Sequence, residues 1–298
     1  TGVQTCALPI YRLKNKKLFM EGHIKISEDF YSVQCEGISS GVPAYFIRLT
    51  DCNLSCGFSQ KMLNRLRKGE IEATAGTIVG DLHESGEATW TCDSAPVWIK
   101  GEEKPFQYLI DKWKAEGIYE DIRSGLIHII WTGGEPTLSY HQSAILSFTQ
   151  WWHKQDPLSE ANFDGMLTGA PSAFYEIETN GTVPITPGLD WMLSQINCSA
   201  KLSNSGMPEN KRIVPDAIKS IMKHLNYQFK FVISNEEDIK EMFRDYIEPF
   251  KIPLHKVVCM PGLDNQDNFH ERTRFILEMA KKYKFIGLTR LHISAWNQ

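Results

Sequence analysis

Short apolar runs alternate with amphipathic segments along most of the chain. The runs are rich in Ile, Val, Phe or Tyr and predict β-strands at Ala44–Leu49, Ile127–Trp131, Phe174–Glu178, Gln195–Ser199, Gln228–Ile233 and Lys256–Met260. The segments between them predict helices at Pro105–Glu116, His141–Lys154, Pro215–Leu225, Glu236–Tyr246 and Asn268–Tyr283. Because strands that alternate with helices form parallel sheets, the pattern predicts an α/β fold. About six largely parallel strands are too few for a closed eight-stranded barrel, so we expect a partial, open β/α barrel.

Two polar stretches interrupt this alternation. Residues 57–91 and 155–173 contain Gly and charged residues but no pattern of a buried strand, and both are interpreted as insertions on a loop face. Residues 1–10 resemble the translation of a sequencing adaptor and are set aside, with Met20 as the expected start. The remaining chain, 20–298, is predicted to be a single domain with a polar insert at 57–91.

Composition narrows the class of protein. The 298 residues are 42% hydrophobic and 23% charged, which argues against intrinsic disorder. With 32 basic and 36 acidic residues the net charge is -4, so no overall field would attract nucleic acid or an anionic membrane. No apolar run is long enough to span a bilayer. We therefore expect a cytoplasmic protein that binds neither a membrane nor, directly, a nucleic acid.

The cysteines point to metal chemistry more than to disulfides. Beyond Cys6, the chain has a local pair, Cys52 and Cys56, and a third cysteine, Cys92, in a Thr-Cys-Asp-Ser turn. Cys198 and Cys259 lie in apolar strand-like runs and are expected to be buried in the core. A large chain that is apolar enough to hold itself together suits a reducing compartment.

The polar motifs each follow a predicted strand. They are residues 50–56, which contain Cys52 and Cys56, Thr132-Gly133-Gly134-Glu135-Pro136, Thr179-Asn180-Gly181-Thr182 and Ser199-Ala200-Lys201. The carboxyl ends of parallel strands share one edge of a sheet, so the four motifs are expected to meet. Three thiolates can hold three irons of a four-iron cube and leave the fourth open to a ligand. The two glycines would bring bare backbone close to that ligand, and Lys201 would meet a carboxylate or a ribose.

These residues resemble known families. Cys52, Cys56 and Cys92, with the motif at 132–136, resemble the radical S-adenosylmethionine (SAM) superfamily. More narrowly, Phe30-Tyr31-Ser32-Val33-Gln34-Cys35-Glu36-Gly37 and Gly41-Val42-Pro43-Ala44-Tyr45-Phe46-Ile47-Arg48-Leu49 resemble the 7-carboxy-7-deazaguanine synthases. The resemblance runs from about Phe30 to Leu291-His292, and its last third matches only in pattern.

The resemblance implies a ligand set and a reaction. It implies a 4Fe-4S cluster on Cys52, Cys56 and Cys92, and Mg²⁺ at Ser94, where the family uses a Thr hydroxyl. It implies SAM against Thr91, Cys92, Asp93, Gly134, Ser199, Ala200 and Lys201, and a carboxylated pterin against Val33, Gln34, Cys35, Arg48 and Thr132. The implied reaction is a lyase step of deazapurine (queuosine-type) biosynthesis, converting 6-carboxytetrahydropterin to 7-carboxy-7-deazaguanine with loss of ammonia. An electron donor such as a flavodoxin or ferredoxin is the implied partner, and the family's frequent dimers make a homodimer an expectation.

Three departures from the family pattern leave alternatives open. The gap between Cys56 and Cys92 is 35 residues, where the superfamily usually has two, Cys35 replaces a Gly, and Ala200 replaces a Pro. Loop closure grows only slowly in cost with length, so Cys92 can still return to the pair. A structural zinc site with His83 is an alternative for the cysteines. For the whole chain, the alternatives are another small radical SAM enzyme, such as a glycyl-radical activase, and a non-catalytic, metal-stabilised interaction domain.

Overall fold

The computed structural model describes residues 22–71, 88–155, 173–262 and 268–296. These residues form one sheet in the order β3-β1-β2-β4-β5-β6-β7-β8-β9, with β3 and β9 at its two edges. The strands are β1 (His23–Val33), β2 (Pro43–Leu49), β3 (Glu102–Pro105), β4 (His128–Gly133), β5 (Tyr175–Thr179), β6 (Gln195–Ser199), β7 (Tyr227–Ile233), β8 (Val257–Pro261) and β9 (Ile286–Gly287). The adaptor-like residues 1–10 lie outside the described residues.

Twelve α-helices connect and cover the strands in the described residues. They are α1 (Gln60–Lys68), α2 (Ala95–Trp98), α3 (Phe106–Ala115), α4 (Tyr119–Arg123), α5 (Ser139–Gln155), α6 (Pro187–Met192), α7 (Glu209–Arg212), α8 (Pro215–Lys223), α9 (Glu236–Met242), α10 (Glu248–Phe250), α11 (Phe269–Tyr283) and α12 (Leu291–Trp296). A π-helical turn, Phe243–Ile247, continues α9, and 3-10 turns lie at Ser203–Ser205 and Leu254–Lys256. Within these parts of the chain, no helix combines the length and apolar character needed to cross a bilayer.

The prediction of an α/β fold with a largely parallel sheet is confirmed. From β2 through β4 to β9 every neighbouring pair is parallel, while β1 is antiparallel to β2 and β3 is antiparallel to β1. The predicted count of about six strands is too low, because β1, β3 and β9 were not predicted. β3 consists of Glu-Glu-Lys-Pro and β9 has only two residues, so neither carries an apolar pattern.

The two faces of the sheet differ sharply. On the face covered by helices, side chains such as Ile47, Trp131 and Ile177 belong to one large apolar core. On the opposite face a small apolar cluster of Ala44, Phe46 and Ile130 occupies the region of β2 and β4. The same side carries the buried polar residues Thr132, Glu176, Asn197, Gln228 and Lys230 and the half-buried Glu178. We call this second side the polar face.

The described part of the insert is more ordered than predicted. Residues 60–68 form α1, which begins at Ser59, whose side chain accepts a hydrogen bond from the Met62 N–H, and ends at Gly69 in the left-handed conformation. Met62, Leu63 and Leu66 are buried on one side of α1 and pack in a separate small core with Trp98 of α2. The basic residues of α1 lie on its other side, as expected for a solvated helix face. Residues 72–87 lie outside the described chain.

Candidate functional site

Gly133, the last residue of β4, and Gly134 allow the chain to pass close to the backbone of residues 48–51, just before Cys52. The Gly134 N–H donates to Leu49 O (3.0 Å) and the Glu135 N–H to Asp51 O (2.8 Å). A Cβ atom on Gly134 would lie 1.7 Å from Asp51 O, and one on Gly133, whose φ is +105°, would lie 2.4 Å from Leu49 N. No other residue type fits at either position. The glycines therefore fix the turn that leads into Cys52. The sequence pattern predicts a different role for them, the close approach of a ligand to the backbone.

Glu135 is the buried anchor of this turn. Its carboxylate accepts hydrogen bonds from the Thr137 N–H and hydroxyl, from the Thr179 hydroxyl (2.7 Å) and from the Asn180 N–H (2.6 Å). Burial nevertheless raises the pKa of Glu135 above its usual value. The Asn180 side chain then donates to Asn53 Oδ1 (2.9 Å) and to Cys52 Sγ (3.7 Å). The motif at 179–182 is in this way tied to the motif at 50–56.

The three predicted cluster cysteines meet at this edge. The Cys92 N–H donates to Cys56 O (3.0 Å), so the chain returns from the insert onto the local pair. Cys56 packs with Leu54 and Met207 in a small cluster, and Cys52 and Cys92 pack against that same cluster. The prediction that a distant third cysteine folds back to the first two therefore agrees with the backbone path.

Burial strongly affects the thiols. It raises the pKa of Cys56 to about 12, against the opposing effect of the Lys201 ammonium, and raises the pKa of Cys52 above its usual value. Cys52 Sγ also accepts a hydrogen bond from the Leu54 N–H (3.4 Å). Burial keeps these thiols protonated, whereas a metal binds the thiolate. A cation bound here would therefore replace the protons of these sulfurs.

The donor set fits an iron–sulfur cluster in its chemistry. Three buried or half-buried thiols, two N–H donors to one sulfur and a nearby ammonium are the features that support thiolate ligation. Among the described residues, no group of three or more His, Cys, Asp or Glu side chains is arranged to hold a single metal ion. His83, the fourth ligand of the zinc alternative, lies outside the described chain.

A row of polar side chains crosses the polar face just inside this edge. Glu178 is its centre: its carboxylate accepts hydrogen bonds from the Thr132 hydroxyl (2.7 Å) and the Gln34 amide (3.1 Å) and lies 3.9 Å from Lys230 Nζ. Gln34 is only 2% exposed, so it is not a solvated strand edge. Two predicted substrate residues, Gln34 and Thr132, are thus brought together by a carboxylate that was not predicted.

A buried ion pair lies next to this row. Lys230 Nζ donates to Glu36 Oε2 (2.6 Å), and Arg290 Nε lies 3.6 Å from Glu36 Oε1. Burial alone would raise the pKa of Glu36, but the charges of Lys230 and Arg290 hold it well below its usual range. Burial alone would likewise lower the pKa of Lys230, but Glu36 and Glu178 raise it. Both groups are therefore charged at neutral pH.

A second polar layer supports the first from below. His128 Nδ1 lies 2.6 Å from Glu176 Oε1, the Asn197 amide donates to Glu176 Oε2 (2.6 Å), and the Gln228 amide donates to Asn197 Oδ1 (2.8 Å). Gln228 Oε1 accepts from the Ile38 N–H (3.0 Å). The layer therefore ends beneath the loop that follows β1 and fixes the position of that loop.

The other predicted substrate residues line the same region. Arg48 pairs in register with Thr132, lies 3.3 Å from a Glu28 carboxylate oxygen and places its guanidinium 5.7 Å from the centre of the Phe30 ring. The atom that faces Glu28 is the buried Nε, which makes no well-aligned hydrogen bond. Val33 is the last residue of β1 and is half-buried.

Cys35, which replaces a Gly of the family pattern, lies beside Val33. Its thiol is directed to Val33 O (3.3 Å), and its carbonyl accepts a hydrogen bond from the Leu291 N–H (3.1 Å) of α12. The larger residue is accommodated in this way.

The predicted SAM residues lie around the cysteines. Lys201 Nζ donates to Ser199 Oγ (2.8 Å) and lies 5.5 Å from the centre of the Trp90 ring, while Ala200 is buried behind them. Trp90 itself packs against the cysteine cluster. Thr91 is half-buried and Asp93 is exposed beside Cys92. Ser94 does not cap α2, and its hydroxyl is within hydrogen-bonding distance of Cys92 Sγ (3.5 Å).

Sequence reasoning missed three charged residues of the polar face: Glu178, Lys230 and Arg290. Glu178 and Lys230 were assigned to strands because of their apolar neighbours. A charge inside a run that is otherwise apolar was the available signal, because such a charge must find a partner when the strand is buried.

Comparison with known proteins agrees with these observations. No family model matches the chain. The 7-carboxy-7-deazaguanine synthase of Pyrobaculum aerophilum is 27% identical over 92% of this chain and 95% of its own length. The synthase of Halobacterium salinarum is 23% identical over 92% and 91%, and that of Bacteroides thetaiotaomicron is 28% identical over 63% and 68%.

The fold is also similar to a solved structure. The crystal structure of QueE from Escherichia coli superimposes with a TM-score of 0.52 at 20% identity, covering 90% of this chain and 93% of that one. All seven curated proteins that match the chain carry the same name. The predicted resemblance is therefore confirmed: the chain is an enzyme related to the 7-carboxy-7-deazaguanine synthases.

Proposed function

We propose that this enzyme is a radical SAM lyase that converts 6-carboxytetrahydropterin to 7-carboxy-7-deazaguanine with loss of ammonia. Cys52, Cys56 and Cys92 would hold a 4Fe-4S cluster at the open edge of a partial barrel. When bound, the cluster and SAM supply the one-electron chemistry that starts the ring contraction. The names of the curated relatives and the buried polar face support this proposal.

The protein's own residues position the pterin. Arg48, whose Nε lies 3.3 Å from a Glu28 carboxylate oxygen, would offer the other N–H groups of its planar guanidinium to the substrate carboxylate. Gln34 and Thr132 are held by Glu178, so their remaining hydrogen-bonding atoms have fixed directions. The backbone of Val33 and Cys35 would line the same side of the pterin site. A bound pterin would be enclosed by groups that are already ordered, which also excludes water.

A second set of residues surrounds the place proposed for SAM. Gly134, Ser199, Ala200 and Lys201 follow β4 and β6, and Thr91 and Asp93 flank Cys92. The Lys201 ammonium would bind a carboxylate or a ribose oxygen. Ser94 would offer a lone pair of its hydroxyl oxygen to Mg²⁺, a hard cation that prefers oxygen ligands.

The observation that carries the proposal is the hydrogen bond from the Cys92 N–H to Cys56 O. It joins the two halves of the cysteine set across a gap of 35 residues, at the edge where the polar face opens. No contact in the described residues favours a protein substrate, as a glycyl-radical activase would require.

The test begins with anaerobic reconstitution with iron and sulfide. We expect a charge-transfer absorption band, reductive cleavage of SAM, and a deazaguanine product identified by mass when 6-carboxytetrahydropterin is supplied. Cleavage of SAM with intact pterin would point to a different substrate. Absence of both the band and the cleavage would contradict the assignment of the cysteines.

A further inference from the structure

Both ends of the long insert contact the same short turn. At the first end, the Gly57 N–H donates to Ser205 O (2.9 Å). At the second end, the Thr89 N–H donates to Asn204 O (2.9 Å). The turn contains the 3-10 segment Ser203–Ser205, which follows β6 and Lys201. One turn therefore closes the loop that separates Cys56 from Cys92.

Asn204 connects this turn to the body of the protein. Its side chain is 5% exposed and makes hydrogen bonds to three parts of the chain. Its Nδ2 donates to Val232 O (2.9 Å) of β7 and to Asp238 Oδ2 (3.0 Å) of α9, while its Oδ1 accepts from Trp90 Nε1 (3.0 Å). The indole of Trp90 is thus tied through one amide to a strand and a helix.

Trp90 in turn determines where the chain runs just before Cys92. The backbone at Trp90 and Thr91 passes directly over Gly57: a Cβ there would lie 2.4 Å from Trp90 O and 2.6 Å from Thr91 Cα. Gly57 has φ +77°, so this position needs glycine for both reasons. Two residues later, the Cys92 N–H reaches Cys56 O.

We propose that Asn204 is a positioning residue that places Cys92 beside Cys52 and Cys56 by holding the Trp90 indole. In a short cysteine motif the covalent spacing sets the position of the third sulfur. Here a 35-residue connection carries a closure cost, and the hydrogen bonds of Asn204 offset it. The inference rests on the proposed function only in taking Cys92 as a cluster ligand.

The first measurement uses metal-free protein, and so does not depend on activity. The rate at which iodoacetamide alkylates Cys92 is followed by peptide mass spectrometry in the wild type, Asn204→Leu and Trp90→Phe. We expect about a tenfold faster reaction of Cys92 in Asn204→Leu, because a lost hydrogen bond of ordinary strength increases local opening by about that factor. Trp90→Phe removes the Nε1 donor together with the five-membered ring of the indole, so a faster reaction of Cys92 is expected in this variant too.

The double variant and a control sharpen this measurement. In Asn204→Leu with Trp90→Phe, the combined increase in rate should be smaller than the product of the two separate increases, because both changes remove the hydrogen bond between Asn204 and Trp90. Tyr45→Phe removes a buried hydrogen bond to Asp29 on the helix-covered face and should leave the Cys92 rate unchanged. The melting temperature of each variant shows how much of an effect is general destabilisation.

The second measurement is spectroscopic. After anaerobic reconstitution, Asn204→Leu should retain less iron per chain, and the electron paramagnetic resonance signal of its reduced cluster should change shape, while Tyr45→Phe matches the wild type. A wild-type alkylation rate together with wild-type iron content in Asn204→Leu would overturn the proposal. If Asn204→Leu does not fold, Trp90→Phe decides by the same two criteria.

Failure of the proposed function gives a different pattern. If the wild type assembles no four-iron cluster, the assignment of the cysteines fails, whereas the alkylation rates still report on the hold that Asn204 exerts on Cys92. If the cluster assembles but no deazaguanine forms, the substrate is wrong and the positioning role of Asn204 is unaffected.

Discussion

The two faces of the same strands teach different lessons. In β7, Phe229 and Phe231 are fully buried in the large apolar core, whereas Gln228 and Lys230, equally buried, lie in the polar networks of the opposite face. Apolar contacts are non-directional and tolerate changes of similar volume. A buried polar network stabilises only when each member has its partner, so a single change there has larger and more specific effects.

The largest effect on activity is expected at the cysteines, at the edge of the sheet where the polar face opens. Cys92→Ala removes the third sulfur, so we expect the reconstituted protein to lose its cluster absorption and its cleavage of SAM. Cys259→Ala is the matched control, since Cys259 is buried on the apolar face. It should lose some stability but keep both properties. Equal iron content in the two variants would show that Cys92 is not a ligand.

The next effect concerns the ion pair of the polar face. Lys230→Met leaves Glu178 without its cation and Glu36 with only the more distant Arg290, and should lower the free energy of unfolding at pH 7 by about 3–5 kcal/mol. Phe231→Ala, one residue further on and on the apolar face, should cost a similar amount, about 3–5 kcal/mol. Urea denaturation measures both.

The pH dependence separates the two variants. In the wild type the lowered pKa of Glu36 means that its contribution is present above the unfolded pKa and is lost as pH falls toward the folded pKa. Without Lys230, Arg290 is the nearest cation left to oppose the burial that raises the pKa of Glu36, so the carboxyl takes up its proton at a higher pH than in the wild type as pH falls below 7. The deficit of Lys230→Met should therefore shrink over this range, while that of Phe231→Ala stays constant. A constant deficit in both would mean that Lys230 contributes only packing.

Much of the fold could be predicted from the sequence, and the reason is the strength of the apolar pattern. Strand β2 and the strands from β4 to β8 begin within one residue of their predicted positions because they are buried on the helix-covered face. β1 escaped prediction because its sequence, His-Ile-Lys-Ile-Ser-Glu-Asp-Phe-Tyr-Ser-Val, mixes charged and apolar residues, and few of its side chains are fully buried.

The polar networks could not be predicted in the same way. Lys230 and Glu36 are 194 positions apart, and only the strand order brings them together. Local patterns reveal that a buried charge needs a partner but not which residue is that partner. The prediction that Cys92 joins Cys52 and Cys56 came from flanking residues that resemble a known motif, because a separation of 35 residues does not by itself indicate a contact.

A smaller effect is expected at the centre of the polar row. Glu178→Gln keeps the shape of the side chain but weakens its hold on Thr132 and Gln34. We expect kcat/KM for the pterin to fall about tenfold, since one charged hydrogen bond contributes about 1.5–3 kcal/mol. The control variant is Val232→Ala. Val232 is on β7, and its side chain takes no part in these hydrogen bonds. An unchanged kcat/KM in Glu178→Gln would show that the row does not position the substrate.

The smallest expected effect is electronic. Asn180→Leu removes the N–H that Cys52 Sγ receives at 3.7 Å. Because hydrogen bonds to cluster sulfurs favour the more negatively charged reduced form, the midpoint potential should become more negative by up to about 59 mV, a tenfold change in the one-electron ratio. A redox titration followed by absorption measures this shift. A shift of the midpoint potential to a more positive value would contradict the inference that the Asn180 amide donates to Cys52 Sγ.

The ends of the sheet bear on how copies of this enzyme meet. The edge strand β3 carries Glu102, Glu103 and Lys104 before Pro105, which has no N–H to donate, and the other edge strand, β9, has only two residues. Charges, proline and short length are the devices by which exposed edges avoid templating another strand. Concentrated protein should accordingly resist aggregation through strand addition, and any pairing of copies would have to use helices or loops.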